Sequence, residues 1–267
     1  MTDPQGYEYR GMMAQAWDLL RGDYSTWPDR PFYRAVIERN GGPALDIGCG
    51  TGRLILDYLA AGLDVDGVDN SPEMLAICRA KAEAAGINVD GRLFEQEMDG
   101  LALERRYATI FVPSLSFQLL TDLDVAARAL RRFHDHLAPG GVLVLSFKAN
   151  LWDEHPTPPH QEWTKWYKEG ERARDEDGAV VRRWLRARFD HEQQLEHEEN
   201  RYEVVRDGVV VETEFHERSP CVRWYSLAQA LAIVEAAGFA DVKATTGDSF
   251  DPAPTGDLRF KVFATRA

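Results

Sequence analysis

A chain of 267 residues is long enough for one large α/β domain with an insertion, and its composition is ordinary for a globular protein. The net charge of −13 at pH 7 would repel a phosphate backbone and argues against nucleic acid as a partner. No apolar run reaches the roughly 18 to 20 residues of a membrane span, and residues 1–10 lack the features of a signal peptide. We therefore expect a soluble, cytoplasmic protein without a membrane partner. The cysteine and histidine spacings match no metal motif, so no metal is predicted.

Short apolar runs alternate with helical patterns from residue 43 to 147, which is typical of βαβ units in a parallel sheet. The predicted strands lie at 43–47, 64–68, within 89–98, at 107–112 and at 142–147. Helices are predicted between them, one of which has Ser71 as its N-cap and another a capping box at Thr121 and Asp124. The second of these is amphipathic, with an apolar face of Leu123, Ala127, Leu130, Phe133 and Leu137.

After residue 148 the pattern alternates as in antiparallel strands, at 179–189, 194–205 and 209–223, with Asp207-Gly208 as a hairpin turn. Arginines crowd the first part of this segment, at Arg172, Arg174, Arg182, Arg183, Arg186 and Arg188. Because acidic residues interleave with them, we interpret them as a solvated charged face rather than a basic patch. A helix at 226–237 and two antiparallel strands at 241–246 and 258–265 complete the chain.

The predicted fold class is α/β, with a Rossmann-like, mainly parallel seven-stranded sheet, helices on both faces and an inserted antiparallel β-meander. The predicted core comprises residues 1–147 and 223–267, and its residues 1–42 form an N-terminal helical cap. The predicted insertion is residues 148–222, which we expect to cover the substrate.

Three glycines separate the first predicted strand from its helix in the sequence ALDIGCGTGR, residues 44–53. Glycine permits a positive φ and a close approach of the backbone to a ligand at a helix N-terminus. Asp69 follows at the end of the second strand, where a carboxylate can accept hydrogen bonds from ribose hydroxyls. These features together predict a nucleoside site.

The spacing of the loop distinguishes between two kinds of nucleoside. A dinucleotide fingerprint reads G-x-G-x-x-G, and Arg53 stands where its third glycine would fall. Asp46 would repel a pyrophosphate, whereas its carboxylate suits the ammonium group of a methionyl ligand. The loop therefore favours S-adenosylmethionine over NAD as the cofactor.

The loop resembles motif I of the class I S-adenosylmethionine-dependent methyltransferases. Three later segments follow in that family's order, GVDNSPEML at 67–75, FEQEM at 94–98 and LAPGG at 137–141. The chain departs from the family at Ala108, where an aspartate is usual, and at Glu97, which replaces the commoner aspartate. The resemblance covers 43–147 and, less closely, about the last forty residues. Residues 148–222 are similar only in position to the substrate-covering sheet of small-molecule N- and O-methyltransferases, amino-sugar N-methyltransferases among them.

The resemblance implies a donor site built from the residues of these motifs. The predicted cofactor-binding residues are Asp46, Gly48, Cys49, Gly50, Gly52, Asp69, Asn70, Met74, Glu97, Met98 and Pro113. Glu97 and Met98 would lie against the adenine. Ordinary core packing is an equal alternative for Met74 and for Met98.

All seven tryptophans lie outside residues 43–147, where a substrate pocket would be built. Aromatic walls suit a planar or apolar acceptor and exclude water, although simple packing is the alternative for each. The residues predicted to contact the acceptor are Trp152, Trp163 and Ser114. His155 and His160 are the candidate catalytic bases, because ligands of open α/β sheets bind outside the carboxyl ends of the strands, and the alternative is a surface histidine.

The sequence therefore predicts transfer of a methyl group from S-adenosylmethionine to a nitrogen or oxygen of a small-molecule acceptor. A protein or RNA methyltransferase, an NAD-dependent oxidoreductase and a catalytically silent S-adenosylmethionine-binding module are the alternatives. Assembly as a homodimer also stays open.

Overall fold

A computed structural model describes residues 9–149 and 162–267 of the chain. Its strands are β1 (Ala44–Ile47), β2 (Val65–Asp69), β3 (Leu93–Glu95), β4 (Tyr107–Val112), β5 (Leu137–Lys148), β6 (Tyr167–Ala173), β7 (Val180–Asp190), β8 (Leu195–Arg206), β9 (Val209–Arg223), β10 (Ala240–Thr246) and β11 (Arg259–Thr265). Its α-helices are α1 (Gly11–Gln15), α2 (Trp17–Arg21), α3 (Asp29–Asn40), α4 (Ile55–Ala60), α5 (Pro72–Ala84), α6 (Leu123–His136) and α7 (Leu227–Ala236). None of the helices described is long and apolar enough to cross a membrane.

The described residues form two compact units. The core unit comprises residues 25–149 and 224–267, and the inserted unit comprises residues 9–24 and 162–223. The sequence-based division placed all of 1–42 with the core, whereas the structure divides this segment after residue 24. The reason is where the helices bury their apolar side chains: α1 packs on the inserted sheet through Met12 and Met13, and α3 packs into the core unit through Tyr33.

The core unit is a seven-stranded sheet with the strand order β10-β11-β5-β4-β1-β2-β3. Strands β1 to β5 run parallel, and β11 is antiparallel to both β5 and β10. The short link between the last two strands predicts the antiparallel pairing of β10 with β11. Alternate side chains of each strand enter different apolar clusters, so that Leu45 packs with α6 and α7 and Ala44 packs with α3, α4 and α5. The predicted fold class is confirmed.

The inserted unit is a four-stranded antiparallel sheet in the order β6-β7-β8-β9. The hairpin turn between β8 and β9 lies at Asp207-Gly208, where both residues have positive φ as the sequence motif requires. Strand β6 is the one strand of this sheet that the alternation of the sequence did not predict. The side chains of Met12, Val181 and Tyr202 belong to a small apolar cluster on one face of the sheet.

The start of α6 differs from the sequence prediction. Asp122, not Thr121, is the N-cap, and its Oδ1 accepts hydrogen bonds from the backbone N–H groups of Asp124 (2.8 Å) and Val125 (3.0 Å). One short carboxylate thus serves two N–H groups that have no partner within the helix. Leu123 lies outside the buried face and is 54% exposed, while Leu130 and Phe133 lie in the core as predicted.

Replacement of Asp122 tests this cap. We expect Asp122→Ala to lower the free energy of unfolding by about 1 kcal/mol, because two amides lose their acceptor. Asp122→Asn keeps an acceptor oxygen and is the matched control, expected to lose at most a few tenths of that amount. Urea unfolding of both variants measures the difference, and equal losses would contradict the cap.

Candidate functional site

The loop after β1 is held in a conformation that glycine alone adopts easily. Gly48, Gly50 and Gly52 have φ values of +76°, +54° and +87°. The backbone N–H groups of Gly48 and Cys49 both donate to the carbonyl of Val68, at 2.7 and 3.0 Å, and so fix the loop to β2. The loop is therefore a rigid cradle at the carboxyl edge of the parallel strands.

The three glycines have different surroundings. A Cβ on Gly52 would lie 2.6 Å from Cys78 Sγ, so close packing alone explains this glycine. A Cβ on Gly48 would lie 2.8 Å from Ser116 Oγ, in the turn after β4. Among the atoms of the described residues, a Cβ on Gly50 would meet only the end of Met74, at 3.2 Å. Gly50 is thus the position of the loop where a ligand can come closest to the backbone.

Asp69, the last residue of β2, faces this loop. One carboxylate oxygen accepts the backbone N–H of Gly50 at 2.8 Å, and the other accepts that of Ser71 at 2.9 Å. Burial raises the pKa of Asp69, and the nearby Glu97 adds to the increase, while the two backbone N–H groups oppose it. The carboxylate is held in one orientation, and each of its oxygens keeps capacity for a further hydrogen bond.

Asp46 lies within β1 and is 1% exposed. Its Oδ1 has no hydrogen-bond partner among the described residues. Burial raises the pKa of Asp46 to about 8, and the negative charges of Asp69 and Asp29 act in the same direction, against the positive charge of Arg53. A buried carboxylate oxygen without a partner is suited to a cationic donor. The oxygen and the glycine cradle together fit S-adenosylmethionine, a nucleoside that carries an ammonium group.

Other predicted donor residues follow the carboxyl ends of neighbouring strands. The side chain of Asn70 donates to both carboxylate oxygens of Glu97, each at 3.2 Å. The pair joins the segment after β2 to the segment after β3, and Glu97 is exposed. Met98 packs at the border of the apolar cluster, in agreement with both interpretations of this residue.

The turn after β4 contains Pro113 and Ser114. Pro113 is buried, and Ser114 is exposed with a φ of +56°, which is uncommon for serine. Backbone conformations of this kind are often retained at binding sites. The turn also carries Ser116, which no sequence motif marks and which approaches the loop at Gly48.

A second contact that the motifs do not reveal fixes the far side of the loop. Arg53 forms a two-pronged ion pair with Asp29, with N–O distances of 2.8 and 2.7 Å, and its guanidinium lies 5.1 Å from the Trp27 ring. The position of Arg53 was visible in the sequence as the missing third glycine, but its partner is 24 residues away. The pair anchors the start of α3 to the loop and places a positive charge near Asp46.

The residues predicted for the acceptor fall in other places. Trp163 lies in the inserted unit, beside Arg186 and Arg188 of β7, and Ser114 lies in the core unit. Trp152, His155 and His160 lie outside the described residues, so their roles stay predictions.

Comparison with known proteins adds to this geometry. Residues 44–141 match the family model of the methyltransferase domain. The chain is 35% identical over 153 residues to a demethylmenaquinone methyltransferase of Thermus thermophilus, a match that covers 55% of this chain and 64% of that protein. It is 31% identical over 144 residues to a dTDP-3-amino-3,6-dideoxy-alpha-D-glucopyranose N,N-dimethyltransferase of Streptomyces fradiae, covering 52% of this chain and 54% of that protein. The chain therefore spans less than two thirds of the length of either relative.

A solved structure extends the likeness to nearly the whole chain. An amino pentose methyltransferase of Micromonospora echinaspora, solved with S-adenosylmethionine bound, superposes with a TM-score of 0.63 at 22% identity and covers 98% of this chain and 99% of its own. At this identity the likeness establishes a shared fold.

The matched segment contains the glycine loop and the donor residues that follow β2, β3 and β4. The sequence-based predictions of family and cofactor are confirmed. Residues 44–141 are a methyltransferase domain, and its cofactor is S-adenosylmethionine.

Proposed function

We propose that this protein is an enzyme that transfers the methyl group of S-adenosylmethionine to a nitrogen or oxygen atom of a small-molecule acceptor. The unpaired, buried Oδ1 of Asp46 beside the glycine loop is the observation that carries the proposal. The two curated relatives support a small acceptor, since they are named for demethylmenaquinone and for a dTDP-linked amino sugar.

The residues of the core unit have separable tasks in this proposal. We assign the cofactor's ammonium group to Asp46 and its ribose hydroxyls to Asp69, whose orientation the N–H groups of Gly50 and Ser71 fix. Glu97, held by Asn70, is assigned to the adenosine end. Each task uses a polar group that the fold holds in place before a ligand arrives, which lowers the entropic cost of binding.

The cofactor supplies a methyl group on a sulfonium, which is already a good leaving group. The chain then has to align the acceptor atom and exclude water. A hydroxyl acceptor requires a base near the transition state, for which His155 and His160 stay the candidates, while a neutral amine can attack before it loses its proton. Ser114 and Trp163 stay the acceptor residues of the proposal.

The raised pKa of Asp46 predicts a pH dependence of cofactor binding. Below about pH 8 the free protein holds a proton on Asp46, and an ammonium group favours the ionised form, so binding releases this proton. We expect the affinity for S-adenosylmethionine to rise with pH between 6 and 7.5, by up to about tenfold per unit. Calorimetry in buffers of different ionisation enthalpy measures both the affinity and the released proton.

Asp46→Asn is the decisive variant for this prediction, with the exposed Asp90→Asn as its control. The amide that replaces the Asp46 carboxylate cannot titrate, so the affinity should be lower and the proton release lost. The thermal stability of the variant should also respond differently to pH. In the wild type the raised pKa makes stability fall as pH increases from about 4 to 8, and the variant lacks this contribution. A wild-type proton release that survives in Asp46→Asn would contradict the assignment.

The glycine cradle gives a steric test of the same site. Gly50→Val should abolish binding of S-adenosylmethionine, because its side chain would occupy the approach to the loop, and Gly50→Ala should weaken binding at least tenfold. Gly62→Ala is the matched control, since Gly62 also has positive φ and has no atom within 4 Å of an added Cβ. Both alanine variants place a side chain at a positive φ, but only the one at Gly50 lies in the loop, so binding should differ between them. Equal affinities in titrations of the two folded proteins would remove this loop as the site.

Turnover of an acceptor tests the whole proposal. The assay follows labelled methyl transfer to a panel of amine- and hydroxyl-bearing metabolites, and no transfer to any of them despite tight cofactor binding would favour the silent module. With an acceptor in hand, Trp163→Ala should reduce kcat/KM for the acceptor at least tenfold and leave cofactor affinity within twofold. Trp184→Ala, from β7 of the same unit, is the control, because its indole N–H already donates to Glu203 at 2.9 Å. An acceptor kcat/KM that is unchanged in Trp163→Ala would overturn the role of this residue.

A further inference from the structure

The arginines of β7 are spaced so that most of them meet an acidic side chain. Arg182 pairs with Glu171 of β6. Arg183 lies 3.7 Å from a carboxylate oxygen of Glu198, and Arg186 lies 2.7 Å from one of Glu199, both on β8. These pairs are half-buried, and they compensate the cost of removing the guanidinium groups from water.

Arg188, the last arginine of β7, has no such partner in residues 9–149 and 162–267. Within the described residues no carboxylate lies at ion-pair distance from it, and its Nε is buried without a hydrogen bond. The strand register explains why. Arg186 faces Glu199 across the sheet, whereas Arg188 faces His197. Strand β8 therefore offers an imidazole at the position where the preceding arginine meets an acid.

Hydrogen bonds hold the residues around Arg188 in place. Thr164 fastens the segment before β6 to β7, since its backbone N–H donates to the carbonyl of Ala187 (2.8 Å) and its hydroxyl accepts the N–H of Ala187 (2.9 Å). This holds Trp163 with its ring centroid 5.8 Å from the guanidinium carbon of Arg188. A guanidinium beside an aromatic ring, with free donors, is a frequent arrangement for recognising oxyanions.

The histidine opposite Arg188 is also held in place. Its Nδ1 lies 2.6 Å from the hydroxyl of Ser219 on β9. Burial lowers the pKa of His197, and the positive charge of Arg188 lowers it further, while Asp190 opposes both. Asp190, two residues beyond Arg188 on the same strand, accepts the backbone N–H of Gln193 at 2.9 Å. The end of the sheet thus presents a fixed cation with a neutral imidazole beside it.

We propose that Arg188, with Trp163 and His197, binds an oxyanion group of the methyl acceptor, a phosphate or a carboxylate. The inference rests on the proposed function for the identity of the ligand, but the anion site itself does not depend on methyl transfer. The proposed acceptor is a small molecule that bears an amine or hydroxyl and also an anionic group. The planar guanidinium supplies the positive charge and the directional N–H donors, and the indole beside it shields that contact from water.

The imidazole of His197 is a built-in reporter of the site. In the wild-type chain, inorganic phosphate should raise the pKa of His197, because an anion favours the imidazolium form. Titration of the histidine ring signals by NMR follows this, with His197→Gln to assign the resonance. Arg188→Gln should also raise the pKa of His197, because it removes a neighbouring positive charge, and should lower phosphate affinity at least about tenfold. In that variant, phosphate should no longer change the pKa.

Two further variants separate recognition from folding. Arg188→Lys keeps the positive charge and should still bind phosphate, but more weakly than the wild type, since an ammonium lacks the two-pronged geometry of a guanidinium. Arg182→Gln removes another guanidinium of β7, one that has Glu171 as its partner, and should leave phosphate binding unchanged. Thermal melts of each variant confirm the fold. Phosphate binding equal to wild type in Arg188→Gln, or no effect of phosphate on wild-type His197, would overturn the proposal.

Methyl phosphate and acetate as probes distinguish a phosphate-bearing from a carboxylate-bearing acceptor. The acceptor panel then gives an independent readout. Anionic members should lose kcat/KM at least tenfold in Arg188→Gln, and neutral members should change less than twofold. An equal loss for both classes would contradict acceptor recognition by Arg188. If no acceptor is methylated at all while phosphate still binds, the proposed function fails and the oxyanion site stands.

Discussion

The carboxylate of Asp46 is enclosed in the sheet, and its charge has to be neutralised by a proton or by a cation that the adjoining loop admits. Arg53 is the nearby positive charge that the fold supplies, but the guanidinium is already engaged by Asp29. In the proposed function, the free protein holds a proton on Asp46 and the complex with the cofactor holds an ion pair there. Much of the site follows from this requirement, because only a ligand with a positive end gains from the exchange.

Asp69 shows the opposite solution to the same problem. Both of its oxygens accept backbone N–H groups, one of them from the glycine loop itself, and the carboxylate gains its orientation from those contacts. The fold thus places two acidic side chains at the ends of adjacent parallel strands, one without a partner for Oδ1 and one held by the backbone. Proteins commonly retain such unfavourable groups where function requires them and compensate for the cost elsewhere.

The sequence predicts the conformation of the glycine loop but not all of the contacts that surround it, and the physical reason is the range of the interactions. Glycine at positive φ and an acid at the end of a strand depend on local geometry, so Gly50 and Asp69 were predictable from spacing alone. The pairing of Arg53 with Asp29 is a tertiary contact that leaves no periodic pattern. At α6 the error was local: Thr121 and Asp122 are adjacent and both are residue types that cap helices well, and the structure uses Asp122.

In the inserted sheet, too, the sequence does not reveal which charged side chains pair with each other. In the sequence, arginines and acids alternate closely enough to suggest a solvated face, and composition cannot distinguish paired from unpaired residues. The register of β7 on β8 makes that distinction, because it sets which side chains face each other across the ladder. A shift of two residues would have placed Glu199 opposite Arg188. In the observed register, Arg188 faces no acidic residue and lies beside Trp163, whose position is set by the hydrogen bonds of Thr164 to β7. A half-buried guanidinium without an acidic partner is costly, and this cost is consistent with a functional role for Arg188.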